Sequence, residues 1–198
     1  DNGNGLSYEL KDSSSADDFS ITTRDDLADS GMAVLYKEAD SLSDLPLTCI
    51  NGFVIKIKGD ADLDQDDYYV KFATADGSSW SSGSWEETIG PDTPLGFNAE
   101  TMPHRLVSTG LNTFELSEID YNQRTAGDAT SNPSPSFIGY PISNMFFFKN
   151  RLGFISNENV ILSEAGNVFN FFRNTVTTLL DSAPIDVSVS SGRVTNLE

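Results

Sequence analysis

The 198-residue chain is 38% hydrophobic and 21% charged, a globular mix long enough for one or two domains with a real core. Its formal net charge is −18, which argues against wrapping nucleic acid with basic side chains, although not against a wall past which DNA slides. One cysteine, Cys49, and one histidine, His104, leave no disulfide within the chain and no zinc site built from several N or S ligands.

The charge is uneven. Residues 1–100 carry 21 Asp+Glu against 6 Lys+Arg, a net −15, and residues 101–198 carry 9 against 6, a net −3. No apolar run approaches about 18 residues, so no segment is expected to span a membrane. The chain opens at Asp1 without Met and ends in Leu197-Glu198. We therefore expect it to be an internal segment of a longer polypeptide.

Residues 1–30 are polar, and "DSSSADD" reads as a loop. "FSITTRD" predicts a short strand and "MAVLYKEA" another, with a short helix as the weaker option for the latter. Ser41 or Ser43 can cap one helical turn through Leu45, which Pro46 then stops. "GFVIKIKG" alternates, with Phe53, Ile55 and Ile57 on one face and Lys56 and Lys58 on the other. "GDADLDQDD" is an acidic turn and "YYVKFATA" the returning strand, so 53–58 and 68–75 form a hairpin. "DGSSWSSGS" reads as a flexible loop, "SWEETI" as a strand and "GPDTPLG" as a break. "HRLVST" and "TFELSEI" make a strand pair about Gly110-Leu111-Asn112. "GDATSNPSPS" has the composition of a linker and places a domain boundary near residues 120–136.

The stretch Ile142–Phe172 holds seven of the thirteen Phe residues. Polar Lys149-Asn150-Arg151 and Asn157-Glu158-Asn159 divide it into three short strands, "SNMFFF", "LGFIS" and "VILSE". Turns at that spacing predict an antiparallel meander. The three-Phe run points rings both ways, so both faces are expected to be covered, as in a sandwich or a propeller blade. "GNVFNFF" leaves the sheet as a helical turn or coil, and "PIDVSVSSGRV" opens a next sheet. The fold class is therefore mainly β: a propeller-like meander plus a smaller β-rich domain with short helices. The expected domains are an acidic one, 1–120, and a Phe-rich one, 121–198.

Each candidate for chemistry has a plainer explanation. Asp60, Asp62, Asp64 and Asp66 alternate like a calcium loop, but the sixth and twelfth positions are Gln65 and Lys71, so the EF-hand pattern fails and a solvated turn is the better reading. His104 lacks a nucleophile elbow and is expected to order the turn after Pro103. Glu86 and Glu87 are neighbours on a strand and point to opposite faces, so they are not a glycosidase pair. Trp80, Trp85, Tyr68 and Tyr69 are expected to pack on strands, although such rings also stack on sugars or partners. No phosphate-binding glycine motif is present. The sequence thus nominates no catalytic, cofactor-binding or metal residue and no cofactor.

Four stretches in order carry a resemblance: "YYVKF…W…ET", "AETMPHRLV", "NPSPSFIGYPISNMFFFKNRLGFISNENVILSEAGNVFNFF" and "DSAPIDVSVSSGRV". They resemble the tail tubular protein B family, the nozzle proteins of short-tailed bacteriophages, over residues 41–196. The matched positions include Thr101, Met102, Pro103, His104 and Leu106 in the first half. Arg151, Leu152, Gly153, Phe154, Ser163, Phe169, Asn170, Phe171 and Phe172 follow. Pro184, Ile185, Asp186, Val187 and Arg193 complete the set. The resemblance implies a structural virion protein of the tail, not an enzyme. It implies a homo-oligomeric ring, commonly six copies, that meets a tail adaptor and tail fibres and passes DNA without binding it specifically. It also implies that the family's N-terminal region and long C-terminal remainder lie outside this sequence. The alternatives are a tail-associated polysaccharide hydrolase and a docking module for fibres or adaptor. Arg151, in a tight turn, is expected to pair with a carboxylate.

Overall fold

The computed structural model describes residues 8–12, 19–23, 38–58 and 67–189. The chain is mainly β, as its pattern predicts. It falls into two compact units, Asp1–Leu35 and Tyr36–Glu198. In the first unit β1 (Tyr8–Asp12) and β2 (Phe19–Thr23) pair antiparallel, with Tyr8 opposite Thr23 and Asp12 opposite Phe19. The strand predicted over 32–39 lies outside the described residues except for its end, Glu38–Ala39, which forms β3. The acidic turn at 59–66, with Asp60, Asp62, Asp64 and Asp66, also lies outside them.

In the second unit β3 joins β4 (Thr48–Ile50), β5 (Val54–Ile57), β6 (Tyr68–Thr74) and β7 (Trp80–Thr88) in one sheet, in the order β3-β5-β6-β7-β4. The predicted hairpin is β5–β6, with Ile55 opposite Val70. Alternation buries Ile55, Ile57, Val70 and Phe72 and leaves Lys71 exposed, as a half-buried strand requires. Lys56 crosses to the Asp67 carboxylate at 2.5 Å. Before β4, Ser43 N–H donates to the Ser41 hydroxyl, 3.3 Å away, at the start of the 3-10 turn Leu42–Asp44.

β7 starts earlier than the sequence predicts, because "WSSGS" is strand and not loop. Trp80, Ser81 and Ser82 pair with β4, a strand the sequence does not announce, and Gly83 to Thr88 pair with β6. Gly83 stands at the handover. A Cβ there would sit 2.0 Å from the Ala73 carbonyl oxygen, so only glycine lets the backbones approach.

β8 (Arg105–Gly110) and β9 (Thr113–Ser117) form the predicted hairpin. Asn112 adopts φ 61 in its turn, a conformation that Asn tolerates. The Phe-rich stretch folds as the predicted meander of β10 (Asn144–Phe148), β11 (Arg151–Ser156) and β12 (Asn159–Leu162). Lys149 and Asn150, the β10–β11 turn, both have positive φ, 46 and 61, which matches the twist of a tight hairpin.

Two readings of this region are corrected. β13 (Ile185–Ser188) does not open a next sheet; it pairs antiparallel with β12, giving the order β10-β11-β12-β13. The three-Phe run is not covered on both faces, since Phe147 and Phe148 are exposed. The inner face carries Phe154 and Ile161, which bury against Met102, Ile119, Tyr121, Phe137 and Phe171. This core draws on residues from both sides of position 120.

The segment "GDATSNPSPS" has a linker's composition and is nevertheless hydrogen-bonded through. The buried Asn132 amide donates to the Ala126 and Arg173 carbonyls, and its oxygen accepts from Arg173 N–H. Asp128 accepts from the backbone N–H groups of Thr130 and Ser131. Asn and Asp are common in loops because they replace missing backbone partners, and here they do so inside the fold.

Candidate functional site

The positions that carry the sequence resemblance turn out to be clamps. Arg151 is buried, and its guanidinium donates to three carbonyls: Ser163 at 2.7 Å, Ala183 at 2.7 Å and Asp181 at 2.9 Å. These are backbone oxygens and not the carboxylate that the sequence suggests. The planar fork spans the end of β12 and the approach to β13, which explains how a chain absent from the sheet for some twenty residues returns to it. Gly153 seats the Phe146 ring, for a Cβ there would lie 2.3 Å from that ring.

Behind the sheet lies a cluster of rings. Phe154 stacks on Phe171 and Phe97 on Phe172, with centroids 5.0 and 4.9 Å apart. Phe137 meets Phe154 and Phe171 edge-on. Arg124, also buried, lies 4.7 Å over the Phe172 ring and donates to the Pro94 carbonyl at 2.6 Å. The Tyr121 hydroxyl donates to the Pro103 carbonyl, and burial pushes its pKa up to about 12. The Asp186 carboxylate accepts from both the N–H and the hydroxyl of Ser136, each at 2.7 Å. Asn170 oxygen accepts from Phe172 N–H, and its amide reaches Glu164. Each of these polar groups is used to hold backbone in place.

Among the described residues, the polar side chains singled out in the sequence are not brought together. His104 Nδ1 lies 2.8 Å from the Met102 carbonyl and orders its turn, as predicted. Glu86 is exposed opposite Lys71. Glu87 accepts from Thr175 hydroxyl at 2.6 Å and Val176 N–H at 2.7 Å. Trp85 packs edge-on to Phe72 and donates its indole N–H to the Pro46 carbonyl. Trp80 is exposed. Tyr68 and Tyr69 are half-buried, and that burial raises the pKa of both. Cys49 is buried as a free thiol. Among the described residues no three His, Cys, Asp or Glu side chains converge as metal ligands, and no helix is long and apolar enough to cross a membrane. A cleft of about 390 Å³ beside Phe97 and Tyr121 is bordered by Glu118 and Asp120.

What sequence reading missed is surface. Every residue from Arg105 to Leu116 is exposed. Leu106 faces Leu116 across the hairpin and Ser108 faces Phe114, so Leu106, Phe114 and Leu116 share one face, at 66%, 62% and 69% exposure. The outer face of the meander is the second such surface. Register places Phe146, Phe148, Ile155, Val160, Leu162, Ile185 and Val187 together there, with Phe148, Ile185 and Val187 exposed. The signal was present in the alternation of β10 and β13, but alternation does not say which face is covered.

The family model described as "Bacteriophage nozzle protein" matches residues 3–198, so the match reaches further forward than residue 41. The chain is 40% identical over 179 residues to "Tail tubular protein gp12" of Escherichia phage T7. That alignment covers 90% of this chain and 22% of the T7 protein, so the chain spans under a quarter of its relative's length. The chain belongs to the bacteriophage nozzle protein family.

Proposed function

We propose that this chain is wall material of a phage tail nozzle, assembled with copies of itself into a ring of six around the path of the departing genome. The observation that carries the reading is where the family-matched residues sit. Arg151, Gly153, Phe154, Asn170, Phe171, Phe172 and Asp186 spend their chemistry on internal backbone and rings. Side chains used in that way fit a structural wall and ask for no substrate.

Charge supports the second half of the reading. A channel that grips phosphates adds affinity, and therefore drag, with every contact. The acidic region, 1–120, supplies a surface that DNA does not bind, and the Phe-rich region, 121–198, supplies the rigid sheet. The virion tail is the site of action. The tail adaptor and the tail fibres are the proposed neighbours, and no catalytic step is assigned.

The test is duplex DNA anisotropy at low ionic strength together with sedimentation velocity. Self-association without DNA binding supports the reading. Tight, salt-sensitive DNA binding overturns the passive-wall part, and release of reducing sugar from envelope or capsule polysaccharide would favour the hydrolase instead.

A further inference from the structure

Both apolar surfaces adjoin one core. The hairpin β8–β9 springs from Met102 and Ile119, which pack beneath the inner face of the meander with Phe154 and Ile161. The other surface is that sheet's outer face. A two-stranded hairpin is marginal in water unless a third surface covers it, yet every residue from Arg105 to Leu116 is open to solvent. The outer sheet face has the complementary shortage. Its one charged member, Arg151, is committed to the Ser163, Ala183 and Asp181 carbonyls, and Phe148, Ile185 and Val187 stay exposed. A patch of this kind on a protein marks a contact site.

We infer that the apolar face of hairpin β8–β9 in one copy docks on the outer face of the β10–β13 sheet in the next copy. This rests on the ring reading given above, and it names the surfaces. Charge decides between a second copy and a different partner. Copies that each carry −18 repel, so they meet best where neither presents charge. Leu106, Phe114 and Leu116 on the donor, and Ile185 and Val187 on the acceptor, satisfy that condition, and the Lys149 amine, 5.4 Å over the neighbouring Phe148 ring, attracts an acidic copy and does not repel it. A basic partner would be drawn to the exposed carboxylates and would gain little at either patch. Donor and acceptor differ, so the contact is head-to-tail, and a head-to-tail contact repeated around an axis closes a ring or runs on as a fibre.

Cysteine cross-linking of the 198-residue chain tests this. Leu116→Cys and Val187→Cys chains are prepared separately, mixed in equal amounts and oxidised; the native Cys49 is buried. The mixture should give a disulfide-linked dimer that neither variant gives alone, and adding Phe114→Asp to the Leu116→Cys chain should lower its yield about tenfold or more. Circular dichroism of the Phe114→Asp chain checks that it is folded. Oligomers in sedimentation velocity without the mixed cross-link overturn the assigned surfaces and leave the ring reading standing. A monomer at every concentration, without cross-link, overturns both, and points to another segment of a longer polypeptide as cover for the sheet. An intrachain disulfide in the Leu116→Cys/Val187→Cys double variant shows the hairpin folded onto its own sheet and also overturns the inference.

Discussion

The ring of Phe154 lies on the ring of Phe171, centroids 5.0 Å apart and planes 14° from parallel. Phe154 comes from the middle strand of the meander and Phe171 from the coil after it, so this contact locks returning chain to sheet. Phe154 is fully buried. Phe154→Ala should cost about 3–5 kcal/mol, read as a fall in the urea midpoint. Phe147, seven residues before it in the same aromatic run, is 64% exposed, and Phe147→Ala should change stability by about 0.5 kcal/mol or less. Equal effects at the two positions would contradict the burial of Phe154 and the exposure of Phe147.

Arg151→Lys separates fork geometry from charge. An ammonium cannot reach the Ser163, Ala183 and Asp181 carbonyls together, and bonds from a charged donor contribute about 1.5–3 kcal/mol each. The variant should lose roughly 2–4 kcal/mol in chemical denaturation. A variant that unfolds with the parent would remove the clamp from the account.

Glu87 ties the long strand β7 to the chain at Thr175 and Val176. Truncation leaves that hydroxyl and N–H without their acceptor. Glu87→Ala should therefore destabilise by about 1–3 kcal/mol, and amide exchange should quicken at Val176. Unchanged exchange there would show that the tie does not hold the segment.

Tyr121 gives a pH signature. Its folded pKa is about 12, above the ordinary value near 10. The unfolded chain therefore gives up this proton first as pH rises. The stability linked to the protonated tyrosine is complete below about pH 10 and falls above it, by up to about 1.4 kcal/mol per pH unit, until the folded group titrates too. The urea midpoint should fall between pH 10 and 12, and the fall should be shallower in Tyr121→Phe. Parallel curves for the two proteins would place the hydroxyl in solvent.

Local pattern carried much of this fold. Alternation in "GFVIKIKG" and "YYVKFATA" marked β5 and β6, and the polar pairs Lys149-Asn150 and Asn157-Glu158 marked the meander's turns, because hairpin geometry is decided by neighbours in sequence. Long-range pairing was not legible. β13 returns to β12 across the segment 163–184, and its guide is a guanidinium reading carbonyls, which no residue pattern advertises. The sequence does not announce the start of β7, because Ser81, Ser82 and Gly83 have weak strand preference and are strand through their pairing with β4 and β6. Asn132 and Asp128 looked like linker residues since burial of a loop depends on partners far away in sequence. Of the candidate site, the apolar residues were visible, and their exposure was not.

The proposed role of this chain is the passive wall of a genome-exit conduit. Cryo-electron microscopy of the intact tail, with an antibody fragment against this chain as a fiducial, tests it most directly. Copies of the chain should form a closed ring around the axial channel. Density for the chain only on peripheral fibres, or off the tail altogether, would contradict it.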